Sequence, residues 1–132
     1  MIRILLVDDE PLVRAGLRMI LDSEDDLEVV GEAADGAEAL SLSRGLRPDV
    51  VLMDVRMPRV DGITATARIV ALDPAPAVVV LTTFDLDEHV YAALAAGASG
   101  FLLKDSPEDQ LLAAIRSAGS GVALLAPTVT RR

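Results

Sequence analysis

Four apolar runs in this chain end on groups able to do chemistry. IRILLV (2–7) runs into Asp8 and Asp9, DVVLMD (49–54) closes on Asp54, AVVVLT (77–82) ends on Thr82 with Thr83 next, and GFLLK (100–104) closes on Lys104. Three carboxylates brought together repel one another and raise at least one pKa unless a cation joins them. Lys104 is the only lysine among 12 basic residues. Its compact ammonium pairs with a carboxylate or a phosphoryl oxygen where arginine would bring a wide planar fork. The further cation that suits an all-oxygen donor set is Mg2+, which takes one or two carboxylates, keeps several waters and shares a phosphate. With charge neutralised in this way, a carboxylate can attack phosphorus and form an acyl phosphate. Asp54, alone on its run, is the candidate nucleophile, and Thr82 offers a hydroxyl to the same phosphoryl group. Glu10 follows the acid pair and is expected to open the first helix.

These groups converge only if the runs lie side by side. Each run is short, continuous and rich in Ile, Leu and Val, the signature of a strand buried on both faces, and LEVVGEA (27–33) is a fifth of the same kind. Between the strands stand helically spaced apolar residues. They are Val13, Leu17, Ile20 and Leu21; Ala37, Leu40 and Leu42; Ile63, Ala67, Ile69 and Val70; Val90, Leu94 and Ala95; and Leu111, Leu112 and Ile115. Five repeats of strand then helix require parallel strands with right-handed crossovers, hence an α/β, doubly wound five-stranded parallel sheet with helices on both faces. Ligands of such sheets bind beyond the C-terminal ends of the strands, where the polar groups above are collected.

Local signals agree with this alternation. Asp35 to Glu38, Asp85 to Glu88 and Ser106 to Asp109 have the spacing of capping boxes. Pro11 and Pro107 suit first helical positions, and Gly45, Gly97 and Gly119 suit C-terminal stops.

Composition narrows the function classes. The 132 residues fit one domain, and 52% apolar with 25% charged residues reads as globular, with no run long enough to span a bilayer. Asp8, Asp9 and Glu10 interrupt the first apolar run before any cleavage site, so no secretory leader is expected and the cytoplasm is the expected compartment. The absence of cysteine removes disulfides and thiolate-bound zinc. A net charge of −9 without a basic cluster argues against direct binding to nucleic acid. After residue 119 the chain holds a Gly/Ser breaker and no further strand and helix pair. Residues 1–119 are therefore read as the domain and 120–132 as a tail or the start of a linker.

The motifs LLVDDEPLVR, DVVLMDVRMPRVDG, VVVLTTF and GASGFLLKD, taken together, resemble the receiver domain of bacterial two-component response regulators over about residues 2–119. GASGFLLKD and VLTTF look most like the subfamily that carries a LuxR-type helix-turn-helix output domain. The resemblance implies a flavodoxin-like strand order of 2-1-3-4-5 and a phosphorylation-activated switch. In that scheme Asp54 accepts phosphate from a sensor histidine kinase. Asp9 binds Mg2+ directly, Asp8 mainly through water, and the backbone carbonyl of Arg56 completes the protein ligands together with Asp54. Lys104 contacts the phosphoryl group or Asp54, Thr82 swings towards the phosphate, and Phe101 is the aromatic switch that follows Thr82. The expected outcome is a changed partner preference, notably a homodimer, through the face of the fourth helix, fifth strand and fifth helix or through the first and fifth helices. DNA would be reached only through an absent C-terminal domain.

Three departures from the family pattern matter. Phe101 replaces a common tyrosine, so an inward state rests on packing without a hydroxyl hydrogen bond. Asp105 replaces a common proline after Lys104, so no cis peptide is expected there. Arg56 and Phe84 stand where the family tunes water access to the phosphoryl group, and bulk at Phe84 is expected to slow hydrolysis. Other readings fit less well. A dehalogenase-type phosphatase needs an acid two residues after its nucleophile, and Arg56 stands there. An FMN binder needs phosphate donors after the first strand, where VDDEP would repel phosphate. The remaining alternative is a phosphorylation-independent interaction module. His89 reads as a solvated helix residue, and Met53 and Met57 as packing.

Overall fold

The computed structural model describes residues 1–55, 61–82 and 87–120, the side chains of 87–90 excepted. Five strands alternate with five helices: β1 (Ile2–Val7), α1 (Pro11–Asp22), β2 (Leu27–Ala33), α2 (Gly36–Leu46), β3 (Val50–Asp54), α3 (Gly62–Val70), β4 (Ala77–Thr82), α4 (Asp87–Ala95), β5 (Gly100–Leu103) and α5 (Glu108–Gly119). The strands are parallel and ordered β2-β1-β3-β4-β5, so the chain reverses its direction of winding between β1 and β3. The expected doubly wound sheet is observed.

Alternation along each strand divides the core in two. Leu5, Val7, Val51, Met53, Val78, Val80 and Phe101 pack against α2, α3 and α4 through residues such as Ala39, Ala65, Ile69 and Ala93. Ile4, Leu6, Val50, Leu52, Val79, Leu81 and Leu102 pack against α1 and α5 through Leu21, Leu111, Ala114 and Ile115. Because both faces are covered, the central strands carry continuous apolar runs rather than an apolar residue at every other position.

The helix ends correct several expectations. Asp35 caps α2 as expected, accepting from Glu38 N–H at 2.9 Å, but the Glu38 carboxylate accepts from Ala34 N–H, one residue before the cap. Helix α2 runs through Gly45, and its stop is Arg47, left-handed at φ 50°. Ser106 does not cap α5; Pro107 is itself the cap residue, outside the first turn. Gly97 does end α4: at φ 107° it lets Ala98 N–H reach Ala93 O and its own N–H reach Leu94 O, the Schellman arrangement. Three alanines expected on buried faces, Ala37, Ala67 and Ala95, are exposed, and Ala39, Ala65 and Ala93, each two residues away, are buried instead. The cap expected at Asp85 lies outside the described residues.

Candidate functional site

The same alternation that buries the strands aims their terminal polar residues. Ile4 and Leu6 face α1 and α5, so Asp8, two residues on, takes that side. Val50 and Leu52 do the same for Asp54, and Leu102 for Lys104. Three residues distant in sequence thereby meet at the C-terminal edge, where β1, β3 and, across β4, β5 come together. Lys104 Nζ lies 2.8 Å from Asp8 Oδ2 and 3.2 Å from Asp54 Oδ1. All are enclosed: Asp8 is 2% exposed, Asp54 5%, and the Lys104 side chain 17%.

Every polar group of Asp8 that faces the protein is engaged. Its N–H donates to Ala33 O, Oδ1 accepts from Glu10 N–H at 2.9 Å, Oδ2 accepts from Lys104, and its carbonyl accepts from Arg14 Nη1 at 2.6 Å. Lys104 is held in turn by its own N–H, which donates to Thr82 O at 2.7 Å. Glu10 serves as the cap residue of α1 with Pro11 at the first helical position, as expected, so the helix starts directly behind the acid pair.

The electrostatics follow from this crowding. Burial, reinforced by the negative charge of Asp8, pushes the Asp54 carboxyl up to about 6 against the opposing pull of Lys104. For Lys104, burial alone would lower the ammonium, but its hydrogen bond to Asp8 and the charge of Asp54 outweigh it and leave the pKa raised. Asp8 and Asp54 share one ammonium, that of Lys104. Carboxylate oxygens of Asp8, Asp9 and Glu10 lie within 4.8 Å of one another. That cluster takes in Glu10 in addition to the expected pair and does not include Asp54, which is joined to Asp8 through the shared Lys104 ammonium. An all-oxygen, acid-rich donor set beside a carboxyl raised by burial and by the charge of Asp8 fits a hard divalent cation.

Thr82 is buried at 3% exposure and falls on the opposite face, that of α2 to α4. It pairs in register with Leu103, two residues beyond Phe101 on the same side of the sheet. Phe101 is 1% exposed, pairs in register with Val80 and belongs to the buried cluster on the α2 to α4 face, so its ring already points inward here. Arg56, Met57, Thr83 and Phe84 lie outside the described residues, as do the tail residues 121–132. The Lys104–Asp105 bond is not cis; the cis bond among the described residues precedes Pro74.

Three contributors escaped the sequence reading. Arg14 and Glu32 come from α1 and β2, and the only signal for them was an arginine one turn inside a helix next to the acid pair. Gly62, at the start of α3, packs so closely under β3 that a Cβ there would collide with the Asp54 carbonyl oxygen. A cavity of about 400 Å³ lined by Pro48, Asp49, Pro74, Pro76 and Gly119 lies at the opposite edge of the sheet and gathers no comparable set of charged groups.

Comparison with known proteins agrees with the fold. The model of the response regulator receiver domain matches residues 4–116. The transcriptional regulatory protein YxjL of Bacillus subtilis is 46% identical over 93% of this chain and 56% of its own length. A LuxR-family two-component response regulator from Aurantimonas superposes with a TM-score of 0.92 at 37% identity, over 99% of this chain and 94% of that one. The response regulator ChrA of a heme-sensing two-component system matches at 47% identity and a TM-score of 0.83, over 98% of this chain and 62% of that one. The chain belongs to the response regulator receiver domain family, a signalling domain rather than a metabolic enzyme. It spans little more than half the length of the curated relatives it matches. Among the described residues no helix is long and apolar enough to cross a membrane.

Proposed function

We infer that this domain is a phosphorylation-activated switch in which Asp54 accepts phosphate from a sensor histidine kinase. The observation that carries the reading is the convergence of Asp54, Asp8 and the sole lysine on one sheet edge, with Asp54 pushed up to about 6. Asp8, Asp9, Asp54 and the Arg56 backbone carbonyl would hold Mg2+. When bound, that ion supplies positive charge to the carboxylates and to the transferred phosphoryl oxygens. The Asp54 carboxylate attacks phosphorus, an O–P bond forms, the P–N bond to the donor imidazole breaks, and its electron pair stays with the imidazole. Lys104 is already aimed at the Asp54 oxygen and moves to pair with the phosphoryl group; Thr82 donates its hydroxyl to the same group.

The acyl phosphate then draws Thr82 towards the edge, and Phe101, which shares its sheet face, stays locked inward. The face of α4, β5 and α5, or that of α1 and α5, changes its partner preference in favour of a homodimer. Residues 1–119 form the receiver, and 120–132 lead to a DNA-binding output domain beyond this chain. Dimerisation would align two such domains on paired half-sites and so regulate transcription. The receiver itself makes no direct contact with nucleic acid or membrane and works in the cytoplasm. Borohydride reduction of the phosphorylated protein, followed by peptide mapping, tests the assignment. The mark falls on Asp54; a mark on Asp8 or Asp9 overturns the mechanism.

A further inference from the structure

Strand β2 does not run straight beside β1. Ile4 pairs with Val29 but Leu5 pairs with Gly31, so Val30 is an extra residue at a register shift. One extra residue exchanges the two faces for everything downstream. Before the shift Leu27 and Val29 face α1 and α5; after it Glu32, opposite Leu6, takes that side. There Glu32 meets α1: Oε1 accepts from Arg14 Nε at 3.0 Å and Oε2 from Arg18 Nη1 at 2.7 Å. Arg14, held from this side, points its Nη1 at the backbone carbonyl of Asp8, 2.6 Å away.

We propose that Arg14, anchored by Glu32, is a positioning residue for the acidic edge, fixing the Asp8–Asp9 peptide unit and thus the direction in which both carboxylates meet a divalent cation. The proposal rests on the Mg2+ reading given above. The side chain and N–H of Asp8 are fixed by other partners, so its carbonyl is the group left to set the plane of the following peptide. That plane carries Asp9, which is exposed and lies past the end of the strand. A guanidinium serves Glu32 and the carbonyl from two nitrogens in one plane, Nε and Nη1, whereas a lysine could do so only if its single nitrogen lay within reach of both. The arrangement also adds little net charge near the acids. Arg14 is balanced by Glu32, and Arg18 reaches Asp22 at 3.7 Å as well. The register shift in β2 is what brings the anchor to this face.

The test is calorimetric titration with Mg2+ of the wild type, Arg14→Met, Arg14→Lys, Glu32→Gln and the double variant Arg14→Met/Glu32→Gln, with melting temperatures taken in metal-free buffer. Partners that orient a ligand typically change metal affinity by roughly tenfold or more when removed. Arg14→Met is expected to raise the Mg2+ dissociation constant about tenfold, Glu32→Gln a few fold, and Arg14→Lys to recover part of the loss. The double variant should bind no more weakly than Arg14→Met, because Glu32 acts through Arg14. In acyl-phosphate formation the half-saturating Mg2+ concentration rises while the plateau rate is kept. A lower melting temperature with unchanged Mg2+ affinity makes the role merely structural and overturns the proposal, and additive losses overturn the anchoring by Glu32. Should Arg14→Met fail to fold, Glu32→Gln decides by the same comparison. A wild type that takes up no Mg2+ overturns the metal reading itself, and the positioning role with it.

Discussion

The Lys104 ammonium donates to Asp8 Oδ2 at 2.8 Å, joining the end of the last strand to the end of the first across 96 positions of sequence. The same ammonium lies 3.2 Å from Asp54 and, among the described residues, is the one cationic side chain that contacts both carboxylates. Removing one member of a buried ionic group leaves uncompensated charge and typically costs about 3 kcal/mol or more. Lys104→Met is therefore expected to lose about that much stability at pH 7, with part of it restored at pH 4, where the Asp54 carboxyl is protonated. Urea unfolding at the two pH values checks this, and an equal loss at both would contradict it.

Asp54 gives a pH dependence of opposite character. Its folded pKa of about 6 lies above the ordinary 3.8, so between these values the native state keeps a proton that the unfolded chain has released. Stability contributed by this group therefore falls as pH rises from about 4 to 6 and stays reduced above. At 1.36 kcal/mol per unit the reduction is on the order of 2–3 kcal/mol. Asp54→Asn should raise the unfolding free energy by that order at pH 7.5 in metal-free buffer and by little at pH 4. Mg2+ added to the wild type should narrow the gap. A variant no more stable than the wild type at pH 7.5 would remove the electrostatic argument.

Two glycines separate close approach from helix propensity. A Cβ on Gly62 would strike the Asp54 carbonyl and stand 2.9 Å from Val55 Cα, with backbone on all sides. Gly16, inside α1, has nothing within 4 Å. Gly62→Ala is expected to destabilise by at least about 2 kcal/mol and to slow phosphorylation by shifting Asp54. Gly16→Ala should stabilise by about 0.5–1 kcal/mol. Equal responses at the two sites in denaturant titrations would contradict the packing described.

Arg47 holds a left-handed backbone at the end of α2, at φ 50°. Its carbonyl accepts from Arg3 Nη1 at 3.0 Å, a bond that survives any change of the Arg47 side chain. Arg47→Gly should relieve about 1 kcal/mol of backbone strain, read as a higher melting temperature. A drop would mean that the side chain contributes more than the strain costs.

The strands were legible to within a residue because a sheet covered on both faces leaves continuous apolar runs, and β2 was found despite Glu28 and Glu32. The edge residues were legible for the same reason: Asp8, Asp54 and Lys104 stand where those runs stop. Helix phase was harder. Alanine is apolar enough to count towards a buried face and small enough to sit in water, so Ala37, Ala67 and Ala95 were placed on the wrong side. Gly45 failed as a stop because a helix tolerates one exposed glycine, and Arg47 supplies the left-handed turn that glycine was expected to make. The register shift at Val30 left no mark in composition, and with it Glu32 and Arg14 stayed hidden. Both depend on which face a side chain takes after one extra residue, a property of strand pairing and not of local sequence.

The central claim is that Asp54 accepts phosphate in a Mg2+-dependent reaction, and intact mass after incubation with acetyl phosphate tests it most directly. The account predicts a gain of about 80 Da in the wild type with Mg2+, and no gain without Mg2+ or in Asp54→Ala. The same gain in Asp54→Ala, or in wild type stripped of Mg2+, would contradict it.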